Sequence, residues 1–295
     1  MNSEKVSVVI PVYGQWDLLK RNIDALLKYD SAFINEIIVM DDCSPDKNPF
    51  VFDANVVNIV TNKNNKGYAA TVNNGLKRAQ SPIIVLLDSD AYPLGAFIEK
   101  ILTMYSADKT IGCIGFGTVD DDGNDTGNFQ YEPSILGLIA GQQLEAKLGF
   151  LRFWRNKNIL PYSCAVSFTK TCLDDLDYLD EKLFPVLDAD HDISMRIHRS
   201  KWKLLFTKKI IICHKGGNSY KINYKRVLLF HQSRWKLLKK HGMIPFVFFA
   251  KLLIRLRMRI EVLVFNLLSL AQGKERYKEK IYGRKLLIKE FKNYQ

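Results

Sequence analysis

The sequence predicts an α/β fold, a mostly parallel sheet flanked by helices, with a C-terminal amphipathic helical extension. Three observations lead there. Short apolar runs alternate with segments of helical periodicity through the first half, the pattern of βαβ units. Two of those runs end in acids, as strands do when they open onto a ligand crevice. From Lys201 to Lys292 the composition changes, and basic residues are interleaved with aliphatic and aromatic ones. A chain of 295 residues with 47% hydrophobic content can fill one full core and still supply an appendage.

Val6 to Val12 reads as the first strand. Apolar residues at Leu18, Leu19, Ile23, Leu26 and Leu27 set a helix over Trp16 to Leu27, and Glu36 to Asp41 is again a strand. Val56 to Val60 is a third strand, Tyr68 to Ala79 a helix, and Ile83 to Leu87 a fourth strand running into Asp88-Ser89-Asp90. Thr118 to Pro161 is poorly periodic, with a turn at Asp120-Asp121-Asp122-Gly123 and an amphipathic segment from Leu144 to Trp154. A strand resumes over Tyr162 to Phe168 and a helix over Ile193 to Arg199. Trp202 to Phe206 and Ile210 to Cys213 follow as short strands, closed by His214. Beyond Gly216-Gly217 the chain turns helical and basic, from about Tyr224 to Gly242 and from Phe246 to Ala271. The expected division is therefore residues 1–220 and 221–295.

The net charge of +12 calls for an anionic partner. No DNA-binding helix or zinc module is visible, so nucleic acid is not expected. The basic, apolar tail suits an anionic membrane surface. At 100° per residue, Lys251, Arg255, Arg259, Asn266 and Ser269 share one stripe, beside that of Leu252, Leu256, Ile260, Leu263 and Leu267. The apolar stripe would pack on the first domain or a second subunit, giving a homo-oligomer, or lie on lipid with help from Phe246, Phe248 and Phe249. The charge-free stretches near the C-terminus fall short of the ~20 apolar residues of a spanning helix. No export signal is visible at the N-terminus, and five widely spaced cysteines read as buried thiols, which together predict a cytoplasmic protein peripheral on the inner face of the cell membrane.

The acids carry the chemistry. Asp88 and Asp90, two residues apart at the end of Ile83-Ile84-Val85-Leu86-Leu87, can hold a hard divalent cation, Mn²⁺ or Mg²⁺, with positions left for phosphate oxygens. Asp41-Asp42 after the second strand suits a turn cap and equally a base or ribose contact. Asn65-Lys66-Gly67-Tyr68 and Asn73-Asn74-Gly75 flank a helix start. In Asp188-Ala189-Asp190-His191-Asp192 one carboxylate could act as a general base, with His191 a spacer. His214 leaves a strand into Lys215-Gly216-Gly217, where the imidazole could complete a metal shell while Lys215 and loop amides meet phosphate.

In their order and spacing, Val8-Val9-Ile10-Pro11-Val12-Tyr13, Asp41-Asp42-Cys43-Ser44-Pro45-Asp46, Asn65-Lys66-Gly67-Tyr68 with Asn73-Asn74-Gly75, Asp88-Ser89-Asp90, Asp190-His191-Asp192 and His214 resemble the motif series of family 2 glycosyltransferases with a GT-A fold. The likeness covers about residues 5 to 220. The helical tail is more loosely similar to the bacterial rhamnosyltransferase-like branch, which builds surface polysaccharides. The resemblance implies an inverting, metal-dependent transfer of a sugar from a UDP- or dTDP-sugar to a saccharide or lipid-linked acceptor. It places Pro11, Tyr13, Asp41, Asp42, Asn65, Gly67, Asn73 and Asp88 around the nucleotide, and Asp88, Asp90 and His214 at the metal. It sets Lys215 and Gly216 at the phosphates, and Asp190 as base, with Asp188 and Asp192 as alternatives because Ala189 stands where many relatives have Glu. Trp154, Ser163, Cys164 and Asp192 are expected on the acceptor side, and the variable Thr118–Pro161 region is expected to face the acceptor. Gln232-Ser233-Arg234-Trp235 is one residue short of the Gln-x-x-Arg-Trp motif of processive synthases, which implies a non-processive enzyme. The rival readings are a sugar nucleotidyltransferase, for which the loop after the first strand lacks a Gly-rich, basic phosphate cradle, and a non-catalytic membrane adaptor, which would have lost the metal acids.

Overall fold

The computed structural model describes residues 5–141, 158–214, 224–292 and 294. They fall into two compact units, one of residues 1–132 and 158–218, the other of residues 133–157 and 219–295.

The first unit is built on an eight-stranded sheet. Its strands are β1 (Val6–Val12), β2 (Ile34–Asp41), β3 (Val57–Thr61), β4 (Ile83–Leu87), β5 (Tyr92–Pro93), β6 (Ile111–Val119), β9 (Ala165–Thr169) and β10 (Lys203–Cys213), in spatial order β3-β2-β1-β4-β9-β6-β10-β5. A separate hairpin-like pair joins β7 (Phe129–Tyr131) to β8 (Ile159–Pro161). Strands β1 and β4 are buried on both faces, which is why they read as unbroken apolar runs. Pro11 is tolerated in a central strand because the β1–β4 ladder ends at Val9, so no partner on that side needs its missing N–H.

Helices α1 (Trp16–Asp30), α2 (Tyr68–Arg78), α3 (Ile98–Ala107), α5 (Lys170–Asp175) and α6 (Ala189–His198) belong to this unit. Leu19, Ile23 and Leu26 of α1 are fully buried, each worth about 1.5–3 kcal/mol of apolar burial. Asp30, at the end of α1, accepts hydrogen bonds from the N–H groups of Phe97 and Ile98 at 3.2 Å, and so caps α3 from a distance. Burial pushes this carboxyl's pKa up despite those bonds.

Several expectations shift. Helix α3 and strand β6 lie where no element was expected, and β6 is central to the right half of the sheet. The strand expected over Tyr162 to Phe168 is instead two, β8 and β9, separated by Tyr162, Ser163 and Cys164. The two strands expected over Trp202 to Cys213 are one, β10, interrupted by a bulge: Thr207 pairs with Phe116 and Ile211 with Gly117, so the residues between them, including exposed Lys208 and Lys209, loop out of register. The helix expected from Ile193 begins earlier, at Ala189, and takes Asp190 to Asp192 into its first turn.

Strand β9 runs antiparallel to both neighbours, whereas β1, β2, β3, β4, β6 and β10 run parallel to one another. The carboxyl ends of β1, β2, β4 and β10 and the amino end of β9 therefore share one edge. That edge holds the acids.

The second unit comprises α4 (Ile135–Ala140), α7 (Tyr224–Lys240), α8 (Val247–Gln272) and α9 (Lys274–Glu290), so a segment from within the first 220 residues joins the tail. Leu138, Trp235, Leu238, Ile254, Met258, Leu287 and Phe291 form its core, with Trp235 and Phe291 edge to face at 5.7 Å. Glu261 accepts hydrogen bonds from Arg257 and Arg284, and Arg257 also reaches the carbonyl of Leu138. Ser233, Arg234 and Trp235 are buried on α7. The face of α8 that packs is Ala250, Ile254 and Met258, while Leu252, Leu256, Ile260, Leu263 and Leu267 stay exposed. Among the described residues, no helix is long and apolar enough to cross a membrane.

Candidate active site

Asp88, Asp90 and His214 meet at the shared edge, the only such group among the described residues. Each offers one ligand atom, and the three atoms lie within 4.8 Å of one another. Strand geometry explains the meeting: β4 releases Asp88 and Asp90 at its carboxyl end, and β10 releases His214 at its own, where the His214 N–H bonds the carbonyl of Val119 at the end of β6. His214 Nε2 stands 3.4 Å from Asp90 Oδ1.

The charges strain against each other. Burial, then the neighbouring Asp90 charge, raises the Asp88 pKa to about 6. Burial also acts upward on Asp90, but the hydrogen bond and charge of His214 outweigh it and hold the carboxyl below its ordinary value. For His214, burial acts downward and the two aspartates win, so its pKa is raised. Two oxygen donors and one imidazole in a pocket of surplus negative charge fit a small hard dication. Such an ion would supply Lewis-acid neutralisation of charge building on a bound diphosphate.

A chain of hydrogen bonds connects this cluster to Asp190. Tyr68 Oη donates to Asp88 Oδ1 at 2.9 Å, so with Asp88 ionised the phenol's single proton is committed and it accepts from Ser163 Oγ at 2.8 Å. The Ser163 N–H in turn donates to Asp190 Oδ2 at 3.3 Å. Burial, chiefly, raises the Tyr68 pKa well above that of a free phenol and keeps the proton on it. The Asp190 carboxylate is oriented through its other oxygen as well, which accepts the N–H of His191 at 2.9 Å.

The three acids around residue 190 are not equivalent. Asp188, left-handed at φ 64° and with its side chain 3% exposed, binds His191 Nδ1 at 2.9 Å. The Asp192 side chain is fully buried against Arg196, whose guanidinium also donates to the carbonyls of Leu176 and Tyr178. Only Asp190, 18% exposed, is open to a ligand. Asp192 is thus a brace inside the protein, which corrects its expected place on the acceptor side: its carboxylate is fully buried, although the Arg196 side chain paired with it is 21% exposed. His191 is more than a spacer, for it is buried edge-on to Tyr162, and its Nε2 has no hydrogen-bond partner.

Around the ends of β1 and β2, Gly14 N donates to Ser44 Oγ at 2.8 Å and Trp16 Nε1 to the Asp46 carbonyl at 2.9 Å, tying two loops into one rim. Asp41 spends one oxygen on Ser44. Asp42 accepts from Asn62, from Lys66 N and from Gly67 N, all at 2.8–2.9 Å, and so holds the loop that starts α2. Gly67 is required there: its φ is +87°, and a Cβ would lie 3.0 Å from the carbonyl oxygen of Pro185. Tyr13 and Asn65 are exposed on the rim, and Pro11 is buried beneath it. Asn73 is elsewhere employed. Its amide nitrogen donates to Leu179 O and Glu181 and its oxygen accepts from Leu179 N, so this buried side chain braces residues 179–181 and both its amide protons are taken from the expected nucleotide contact. Cys164 is buried, its thiol donating to Asn128 and pushed up in pKa mainly by burial, so of the acceptor-side pair only Ser163 touches the chain of hydrogen bonds. Trp154, Lys215 and Gly216 lie outside the described residues.

Asn22 and Gln15 join the site without having been singled out, and Tyr68, quoted only within Asn65-Lys66-Gly67-Tyr68, joins it through Asp88. Asn22 donates to the Asp88 carbonyl at 3.0 Å, and Gln15 accepts from Ser89 at 2.8 Å. The Gly-Tyr step at a helix start was the one local signal for Tyr68; Asn22 and Gln15 carried none.

Comparison with known proteins bears on the family and the fold. The model of glycosyl transferase family 2 matches residues 7–169. An uncharacterised glycosyltransferase of Haemophilus influenzae is 31% identical over 153 residues, 49% of this chain and 61% of that protein. A UDP-Glc:α-D-GlcNAc-diphosphoundecaprenol β-1,3-glucosyltransferase of Escherichia coli is 31% identical over 108 residues, 35% of this chain and 42% of its own length. The chain thus spans under two thirds of either relative. Among solved structures, a mannosyltransferase from Pyrobaculum calidifontis in complex with GDP-Man and Mn²⁺ superposes with a TM-score of 0.55 at 15% identity, over 80% of this chain and 64% of that one. The shared fold is the GT-A fold.

Proposed function

We propose, from the premise that the chain belongs to glycosyl transferase family 2, that it transfers a sugar from a nucleoside-diphosphate donor to an acceptor hydroxyl with inversion, in a single, non-processive step. The observation that carries this reading is the linkage of the Asp88–Asp90–His214 cluster to the partly exposed base candidate Asp190 through Tyr68 and Ser163.

In this reading Asp88, Asp90 and His214 hold Mn²⁺ or Mg²⁺, and the rim formed by Tyr13, Asp41 and the Gly67 loop receives the nucleotide. The Asp190 carboxylate takes the proton of the attacking hydroxyl as its oxygen bonds to the anomeric carbon. The bond from that carbon to the diphosphate breaks at the opposite face, and its electron pair leaves with the phosphate. Two backbone N–H groups, of Ser163 and His191, fix the carboxylate's orientation. The acceptor is a lipid-linked intermediate of a surface glycan, and the enzyme works as a peripheral protein at the inner face of the membrane. Relatives that act on diphosphoundecaprenol-linked sugars support this choice, and the tail's likeness supports the rhamnosyltransferase-like branch. UDP- and dTDP-sugars are the donors to try first.

The test is a thermal-shift screen of nucleotide sugars with and without Mn²⁺, followed by transfer to a short-chain lipid diphosphate sugar acceptor and determination of the anomeric configuration formed. A donor that stabilises the protein only with the ion, and a product of inverted configuration, are expected. Retained configuration, or donor binding unaffected by chelation, overturns the mechanism.

A further inference from the structure

We propose that the uncovered apolar face of α8 is a lipid-contacting surface that seats this chain on an anionic bilayer, an inference that deepens the peripheral location above and rests on it only for the enzyme's address. Helix α8 has two unlike sides. Ala250, Ile254 and Met258 are buried in the core of their unit. On the other side Phe248, Leu252, Leu256, Ile260, Leu263, Leu267 and Leu270 are all exposed, from 49% at Leu252 to 76% at Leu270. At 100° per residue those seven fall within a stripe about 120° wide, and at 1.5 Å per residue the stripe is about 33 Å long. Apart from Arg259 and Asn266, which fall along its polar margin, the strip is apolar, and an apolar strip of that length marks an interaction site.

Charge selects the occupant. From residue 221 to the C-terminus the sequence holds 19 Lys and Arg against 4 Asp and Glu, a net +15; the remaining residues hold 24 against 27, a net −3. All the chain's excess positive charge thus belongs to the segment that presents the strip. A second copy would set +15 against +15, whereas anionic lipid supplies the opposite sign. Lys251, Arg255 and Arg259 follow one margin of the stripe, where their long stems can lie along the apolar surface with their charges at headgroup level. Phe246, Phe248 and Phe249, exposed by 61–74%, gather at the helix's first turn. With no described helix able to span, α8 lies along the interface.

The experiment is co-sedimentation of the full chain with vesicles of phosphatidylcholine alone and of phosphatidylcholine mixed with phosphatidylglycerol, at low and high salt. The wild type is expected to bind the anionic vesicles at least about tenfold more strongly, and less so at high salt. The double variant Leu256→Glu, Leu263→Glu should lose about tenfold or more of that binding with an unchanged melting temperature. Arg255→Gln with Arg259→Gln should narrow the preference for anionic lipid. Unaltered vesicle binding by the leucine variant, or no binding by the wild type, overturns the proposal. So does a wild-type dimer in light scattering that the leucine variant dissolves, which would assign the face to a second copy. Because vesicle binding needs no donor and transfer can be assayed on a water-soluble acceptor, failure here and failure of the glycosyltransferase reading are separately visible.

Discussion

Asp190 and Asp88 are both carboxylates at one edge of a sheet, yet the structure asks different things of them. Asp190 is oriented by two N–H donors and left open, so Asp190→Asn keeps the shape and removes the proton acceptor. Its kcat should fall by about 10²–10⁴-fold while the donor Kd, measured by calorimetry, changes by less than about twofold. Asp88 is held near its burial limit, with a pKa raised to about 6. The folded, ion-free protein therefore binds a proton there more tightly than the unfolded chain does. This group's contribution to stability is greatest at acid pH and is lost as pH rises from about 4 through 6. Asp88→Asn should accordingly raise Tm by about 2–4 °C at neutral pH, an advantage that vanishes below about pH 4, while abolishing Mn²⁺ binding. By the same sign, Mn²⁺ affinity of the wild type should weaken as pH falls through about 6, because proton and ion compete for one carboxylate. Titrations at pH 5 and pH 7 measure it. The resemblance put Asp190 first and kept Asp188 and Asp192 as alternatives, but no local pattern explained that order. Their ranking depends on which partners, Arg196 or His191, arrive to neutralise them.

Elements were legible where a single local pattern decided them. Strands β1 and β4 are apolar runs because both faces are covered, and α1 keeps its period because one face is. Strand β6 was not legible: in Ile111-Gly112-Cys113-Ile114-Gly115-Phe116-Gly117 three glycines break up the strand-forming isoleucines and phenylalanine. The glycines are there because neighbours press close. A Cβ at Gly112 would sit 2.5 Å from Cys172 Sγ, and one at Gly115 would sit 2.5 Å from Pro161 Cβ. The same crowding holds α2 on the sheet, where a Cβ at Gly75 would meet Val9 Cγ1 at 2.5 Å and Met40 Cγ at 2.9 Å. Gly75→Ala should therefore destabilise by about 1–3 kcal/mol despite alanine's better helix propensity, as read from denaturant midpoints. On α8, two residues of one helix should part company. Ile254→Ala empties a core position and should cost about 2–4 kcal/mol, whereas Leu256→Ala, on the uncovered face, should cost under about 0.5 kcal/mol.

At the scale of the whole molecule, ion and donor should act together on stability. A nucleotide sugar at about 100 times its Kd should add roughly 2.7 kcal/mol, visible as a raised Tm with Mn²⁺ present and reversed by chelation. What the sequence determined alone was periodic or compositional: the α/β class, the acids at strand ends, the order of the family's motifs and the concentration of positive charge in the tail. Each is a property of neighbours along the chain, where side-chain alternation and strand endings repeat at short range. Only the tertiary structure decided that Asp88, Asp90 and His214 share a pocket, that Tyr68 and Ser163 join it to Asp190, and that Asn73 and Asp192 bond to the scaffold. It also decided that α8 turns its small buried face inward and leaves its leucines uncovered. Those outcomes depend on pairings between residues up to 126 positions apart, set by strand order and by which polar groups burial forces to find partners, and no local pattern carries that information.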